Sequence, residues 1–449
     1  MMKRMILTVT ICFVPAFGFA QVHDPGVRSS SSGAGNPIAG LNTAENKLFT
    51  DGLAAFTQSE TVPEGLGPRF NLDNCSGCHI QPSIGGSSPA KNPEFAMASS
   101  LGATNKLPLF ITLNGPVREA RFKFQVGNMA FMDRDRGPLP DGGVHALFTV
   151  TGRTDAKGCS LAQEDFDGQF QAGNIALRIP TPVFGGGLIE SVTDATILAN
   201  QAANLRRKKA LGIQGHPNRN GNDGTITRFG WKAQNKSLLV FSGEAYNVEM
   251  GVTNDLFAQE REEDSKCQLA PTPNSSIMSA HNESPEFDDM ELFAVFMAFL
   301  DQPKPSTSSP GGADSITRGQ GAFNRVGCAM CHTPVLTTQS KAASTALSNI
   351  KAALFSDLLV HHMGPRLADD ITQGEAAGDE FRTAPLWGVG QRLFFLHDGR
   401  SSDLLQVIMA HSSAGNGKYG PSEANATVSA FSALPVANRQ DLLNFLRSL

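Results

Sequence analysis

Two pentapeptides of one form constrain this chain more than anything else in it: Cys75-Ser76-Gly77-Cys78-His79 and Cys328-Ala329-Met330-Cys331-His332. Cys-x-x-Cys-His is the attachment signature of c-type haem. The spacing follows from the chemistry. Two thiols three residues apart on one turn add to the two vinyl groups of the porphyrin, and the adjacent imidazole reaches the iron from one face. A zinc ribbon or a pair of redox dithiols offers a competing reading. The zinc ribbon needs both Cys pairs to converge on one metal, whereas here each pair carries its own His. Two covalent haems c are therefore expected, on Cys75, Cys78 and His79 and on Cys328, Cys331 and His332.

Thioether attachment belongs to exported proteins, and the N-terminus agrees. Met1-Met2-Lys3-Arg4 precedes an apolar run to Ala20 that is interrupted by Pro15 and closes on Gly18-Phe19-Ala20. A basic start, a short apolar core and a small-residue end make a secretory signal over 1–20. The run is too short for a membrane span, and no other stretch approaches one. A periplasmic location follows. Of seven cysteines, Cys12 lies in the signal and four serve the haems. Cys159 and Cys267 remain, as a disulfide that an oxidising compartment permits or as two unrelated buried thiols. With 42 acidic against 37 basic residues there is no basic face for nucleic acid.

The expected architecture is mainly α, with two cytochrome c-like haem domains. The apolar spacing of Phe323 and Val326 predicts a helix leading into the second motif. Leu442, Leu443, Phe445, Leu446 and Leu449 predict a terminal helix. Met290, Phe293, Phe296, Met297 and Leu300 repeat that pattern, with Ser284-Pro285 as its expected start. Each haem unit thus closes with an apolar helix, a hint of duplication. Residues 303–314, rich in Pro, Ser and Gly, read as a linker between an N-terminal unit, 21–302, and a C-terminal unit, 315–449. Alternation at Arg121–Val126 and Ala146–Val150 predicts short strands. They belong to a loop- and strand-rich insertion over about 85–225 in the first unit.

Beyond the two motifs, further segments carry a resemblance: Gly65-Leu66-Gly67-Pro68-Arg69-Phe70-Asn71, Asp141-Gly142-Gly143-Val144-His145, Leu147 to Arg153, Arg228-Phe229-Gly230-Trp231-Lys232-Ala233, Glu249 to Asn254, Phe381 to Trp387 and Leu396 to Arg400. Together they resemble the di-haem c-type oxidoreductases, peroxidase-like and thiol-oxidoreductase-like proteins related to the bacterial di-haem cytochrome c peroxidases, to the di-haem enzymes of methylamine utilisation and to the rubber oxygenases. The resemblance implies Trp231 as an electron conduit between the haems and Glu249, eighteen residues on in Glu249-Met250-Gly251, as the acid/base over the first haem. Trp231 as a core indole, Glu249 as a salt-bridging carboxylate and Met250 as an iron ligand are the competing readings.

In the peroxidases a Met ligand lies twelve residues after the Gly of His-Asp-Gly. Counting from Gly399 reaches His411, with Met409 two short. A His332/His411 pair departs from the peroxidase pattern and lowers the second haem's potential relative to His/Met ligation. The resemblance also implies a calcium site at Thr383-Ala384-Pro385, with Asn218 or Asn220 nearby. His145, His216, His281, His361 and His362 read as structural or exposed, and His397 as a turn residue near the second haem. The implied activity is peroxide reduction, with a small cytochrome or copper protein as donor. A di-haem electron carrier, or an oxygenase or oxidase of an organic or protein substrate using dioxygen, is the alternative. The thiol-oxidoreductase label draws no support from these cysteines, since four serve the haems and the remaining two suit a disulfide.

Overall fold

The computed structural model describes residues 21–124, 132–133, 137–138, 154–159, 161, 163–260, 264–276 and 287–449. The signal over 1–20, the strand expected at Ala146–Val150, the segments Asp141–His145 and Leu147–Arg153, His281 and the Ser284-Pro285 start lie outside them. Among the described residues the chain is helix-rich, with thirteen α-helices, and its strands form two-stranded antiparallel ladders.

One helix pair builds the first core. Helix Thr43–Thr57 opens with a reciprocal cap, in which Asn42 accepts from the Glu45 amide and the Glu45 carboxylate accepts from the Asn42 amide. Its Phe49, Gly52, Ala55 and Phe56 share one buried face. That face packs on helix Asp289–Phe299, which Asp288 and Glu291 cap in the same way. Helix Leu238–Met250 packs on the same partner. The crossing is tight at Gly52, where a Cβ would come 2.5 Å from the Leu292 carbonyl.

The second core repeats this construction. Helix Ala313–Val326 crosses helix Val436–Ser448, and a Cβ on Gly319 would stand 2.0 Å from the Asp441 carbonyl. In each unit a Phe four residues after that Gly reaches toward the motif histidine. Phe56 lies 6.1 Å from the His79 ring, and Phe323 lies 6.4 Å from that of His332. A Gly-and-Phe crossing thus precedes each Cys-x-x-Cys-His.

The two cores share chain across the 303–314 segment. Leu336, Leu347, Leu354 and Leu359 bury with Phe49 and Phe56 in the first. At the other end, Asp24 pairs with Arg447 at 2.6 Å and the Arg28 amide donates to the Gly390 carbonyl. Residues 303–312 are irregular and Ala313 already begins the helix. In the 85–225 region, strand Glu119–Phe122 pairs antiparallel with Ile175–Arg178 and Met132–Asp133 with Gly137–Pro138, and the other described residues form short helices, turns and irregular segments. Cys159 and Cys267 are joined as a disulfide across 108 residues.

Candidate functional site

The first motif is a single turn, Cys75–Cys78, capped by the Asn74 carboxamide accepting from the Gly77 amide at 2.7 Å. Gly77 sits close to Leu72, whose side-chain tip a Cβ would displace at 2.0 Å. Cys75, Cys78 and His79 face a cavity also lined by Glu249, Tyr246 and Met250. His79 Nδ1 sits 3.1 Å from the Gly86 carbonyl. Burial pushes this imidazole down to about 4, so it is neutral. With Nδ1–H donating to a carbonyl, Nε2 carries the free lone pair.

Glu249 is the penultimate residue of helix Leu238–Met250, which ends on Gly251 at φ 71°. That ending lets two backbones touch: Gly67 donates to the Met250 carbonyl at 3.0 Å and Asn71 donates to the Glu249 carbonyl at 2.8 Å. A Cβ on Gly251 would meet the Arg69 carbonyl at 2.7 Å and the Gly67 Cα at 2.9 Å. The Gly65–Asn71 and Glu249–Gly251 segments therefore hold each other, and together they aim Glu249 at the cavity. Its carboxyl is raised to about 8, first by burial and then by the charge of Glu119, against the pull of Arg121 and a hydrogen bond from Asn71.

Sequence reading missed Glu119 and Arg121. Strand Glu119–Phe122 turns Ala120 and Phe122 into the core and puts Glu119 and Arg121 on the cavity side, paired at 2.6 Å. The alternation expected over Arg121–Val126 overlaps this strand only at Arg121 and Phe122, and alternation does not say which face meets a site.

The second cavity collects Cys328, Cys331, His332 and His411. His332 Nδ1 lies 3.0 Å from the Phe355 carbonyl and His411 Nδ1 lies 2.7 Å from the Val407 carbonyl. Burial and the nearby His411 push His332 down to about 4, and burial lowers His411. Met409 is 38% exposed and lines neither cavity. His361 is a structural histidine. It is buried between Asp357 at 3.1 Å and Glu423 at 2.7 Å, with Nδ1 3.7 Å from the Cys331 sulfur.

Trp231 lines both cavities. Its indole N–H donates to the Ile179 carbonyl at 2.9 Å, the His397 ring meets it edge-on at 6.4 Å, and the Arg392 guanidinium lies 5.8 Å over its face. The next residue, Lys232, is 0% exposed, and its ammonium reaches Asp369 at 3.1 Å and the carbonyls of Ala377 and Glu380.

The family model for "Di-haem oxidoreductase, putative peroxidase" matches residues 120–449. The chain belongs to this family. It is an oxidoreductase of peroxidase-like type whose cofactors are haems. Among solved structures it is similar to a hydrazine synthase of Kuenenia stuttgartiensis pressurised with 20 bar xenon, at 18% identity and a TM-score of 0.24 over 37% of this chain and 56% of that one. It thus spans a little over half of that chain's length. It is also similar to a MauG-like protein associated with microbial copper homeostasis, at 14% identity and a TM-score of 0.30 over 60% and 90% of the two chains. At such scores neither likeness bears on fold or chemistry. No curated protein matches the sequence.

The side chains of this di-haem oxidoreductase suit the cofactor. His79, His332 and His411 each place Nδ1 beside a backbone carbonyl, the arrangement that fixes the tautomer and leaves Nε2 for a metal. The oxygens expected to hold calcium already accept protein donors: the Thr383 carbonyl from Ser356, Asn218 Oδ1 from the Arg219 and Glu375 amides, and Asn220 Oδ1 from the Asn222 amide. His397 stacks on Phe381 at 4.2 Å in the wall of the second cavity. Among the described residues no helix is long and apolar enough to cross a membrane.

Proposed function

We propose that this di-haem oxidoreductase is exported to the periplasm and reduces hydrogen peroxide to water at the first cavity, with electrons entering through the second. The signal over 1–20 is removed. A unit over 21–302, carrying the insertion at about 85–225, holds one haem c on Cys75, Cys78 and His79. The 303–314 segment leads into a unit over 315–449 that holds the other on Cys328, Cys331, His332 and His411. A small cytochrome or copper protein supplies the electrons. Calcium is not part of the proposal.

The observation that carries this reading is an asymmetry. His332 and His411 both face the second cavity, while His79 is the one histidine among the described residues lining the first and shares it with Glu249. Two imidazoles close an iron to small ligands, whereas one imidazole and an acid leave a face for peroxide. The overall reaction is H2O2 + 2e⁻ + 2H⁺ → 2H2O. Haem supplies the redox couple. Glu249 takes the proton from the near oxygen and returns it to the far oxygen, so that water leaves rather than hydroxide. Trp231, which lines both cavities, supports an electron path between them.

A second reading, the electron carrier, draws on Met250 and Met297, whose side chains line the first cavity and offer thioether ligands. Electron paramagnetic resonance of the oxidised holoprotein, with and without cyanide, separates the two. A high-spin signal abolished by cyanide beside an unchanged low-spin signal is expected. Two low-spin signals indifferent to cyanide, in both the oxidised and the half-reduced protein, would overturn the peroxidase reading in favour of the carrier.

A further inference from the structure

Three arginines with little exposure sit against a carboxylate: Arg178 on Asp369 at 2.7 Å, Arg447 on Asp24 at 2.6 Å, and Arg228 on Asp194. Arg382 and Arg392 do not. Both line the second cavity. Arg382 spends Nε on the Gly230 carbonyl at 3.0 Å, and its Nη1 is shielded from water without a partner. Arg392 is barer: Nε and Nη2 are both shielded and unpartnered, and among the described residues its guanidinium donates no hydrogen bond. Burial pushes each down to about 10, and for Arg392 the charge of Arg382 adds to the push. Two like charges thus line one cavity with no counter-ion among the described residues, an arrangement that is unfavourable unless something anionic joins it.

We propose that Arg382 and Arg392 clamp the two carboxylates of the haem in the second cavity, and that Arg392 thereby couples that haem electrostatically to Trp231. Haem carries two propionates, matching two guanidiniums in number and charge. The planar fork of Arg suits a carboxylate bidentately, which an ammonium cannot match. Arg392 has a second neighbour, the face of Trp231 at 5.8 Å. A cation over an indole is attracted to its electron-rich face and holds that electron density. One side chain therefore raises the potential of the haem, by favouring its less positive reduced state, and also makes Trp231 harder to oxidise. Arg382 does only the first. The proposal rests on the haem assignment above and is independent of peroxide chemistry.

The test is a spectroscopic redox titration of holoprotein carrying Arg392→Gln, Arg382→Gln or both. The midpoint potential of the low-spin haem is expected to fall in each single variant and further in the double, with the other haem as an unshifted internal reference. Arg392→Lys, which keeps the charge, should recover most of the shift. A one-electron outer-sphere oxidant followed by peptide mapping should modify Trp231 more in Arg392→Gln than in wild type or Arg382→Gln. Unchanged low-spin potentials in variants that retain two haems would overturn the clamp. Where a variant misfolds, resonance Raman of wild type decides instead. Propionate bending modes at hydrogen-bonded positions support the clamp, and modes at free positions overturn it. A protein that failed to reduce peroxide would leave all of these readouts intact.

Discussion

Glu249 shows how a carboxyl acquires a chemical task from its neighbours. Burial holds its proton on, Glu119 reinforces this and Arg121 opposes it. Replacing Glu249 by Gln keeps the shape and removes the proton acceptor, so peroxide turnover should fall by on the order of 10²–10⁴-fold while pyridine haemochrome still counts two haems. The neighbours give a sharper expectation. Glu249 must be charged to accept the first proton, so kcat/KM should rise as pH climbs toward about 8. Glu119→Gln removes a negative charge and should move that limb to lower pH, whereas Arg121→Leu removes a positive charge and should move it higher. A kcat/KM–pH profile displaced the same way by both variants, or by neither, would remove Glu249 from the role. At this scale the sequence was legible where chemistry is local. The Cys-x-x-Cys-His turns could be named from spacing, and His411 from the family resemblance, which sets the count from Gly399. Glu119 and Arg121 could not, because which face of a strand meets a cavity depends on its partner Ile175–Arg178. Nor could the state of Arg382 and Arg392, since the absence of a counter-ion is a fact about space rather than order along the chain.

Helix crossings carry the haem motifs. Gly52 and Gly319 lie mid-helix, where replacement by Ala ordinarily adds roughly 0.5–1 kcal/mol of helix stability. Here the added methyl would sit 2.5 Å from the Leu292 carbonyl or 2.0 Å from the Asp441 carbonyl. Backbone cannot swing aside as a side chain can, so overpacking should prevail, with a net loss of about 1–3 kcal/mol. Calorimetry of the holoprotein should show Gly319→Ala and Gly52→Ala both lowering Tm, and a raised Tm would mean the crossings are looser than described. The apolar spacing along Asp289–Phe299 and Val436–Ser448 made these helices readable. Their N-terminal partners were less so: in Thr43–Thr57 and Ala313–Val326 the face that packs includes a Gly, which carries no apolar signal. The strand register and the return of Leu336–Leu359 to the first core were hidden for a different reason. Those segments are short, and long-range packing rather than periodicity fixes them.

At the scale of the whole molecule, particular links tie distant parts of the chain. The Cys159–Cys267 bond closes a loop of 108 residues. Replacing both cysteines by Ala should cost about 4–5 kcal/mol in the chain-entropy account, read as a lower unfolding midpoint with both haems retained. Acid–base linkage gives a second whole-molecule expectation. Glu60, Glu94 and Glu249 are each raised to about 8, burial being the first cause in all three. Between pH 6.5 and 8 these carboxyls stay protonated in the folded chain and are ionised in the unfolded one. The folded state therefore binds more protons, and stability must fall as pH rises, by at most about 1.4 kcal/mol per pH unit for each group. His216, raised by Glu380, acts in the same direction. Imidazoles lowered to about 4, such as His397, push the other way only below about 6.5, where the unfolded chain protonates. Lys232, lowered to about 8 by burial, opposes the trend above pH 8, because there the unfolded chain holds the extra proton, whereas His361, held well above its ordinary value beside Asp357, continues it. Glu94 is the residue on which to test this. It is 1% exposed, its Oε1 has no partner among the described residues, and it lines neither cavity. Glu94→Gln cannot ionise in either state, so it should flatten the fall in Tm between pH 6.5 and 8 by that one group's share without altering the spectrum of either haem. An unchanged slope would mean that Glu94 is already charged in the folded protein.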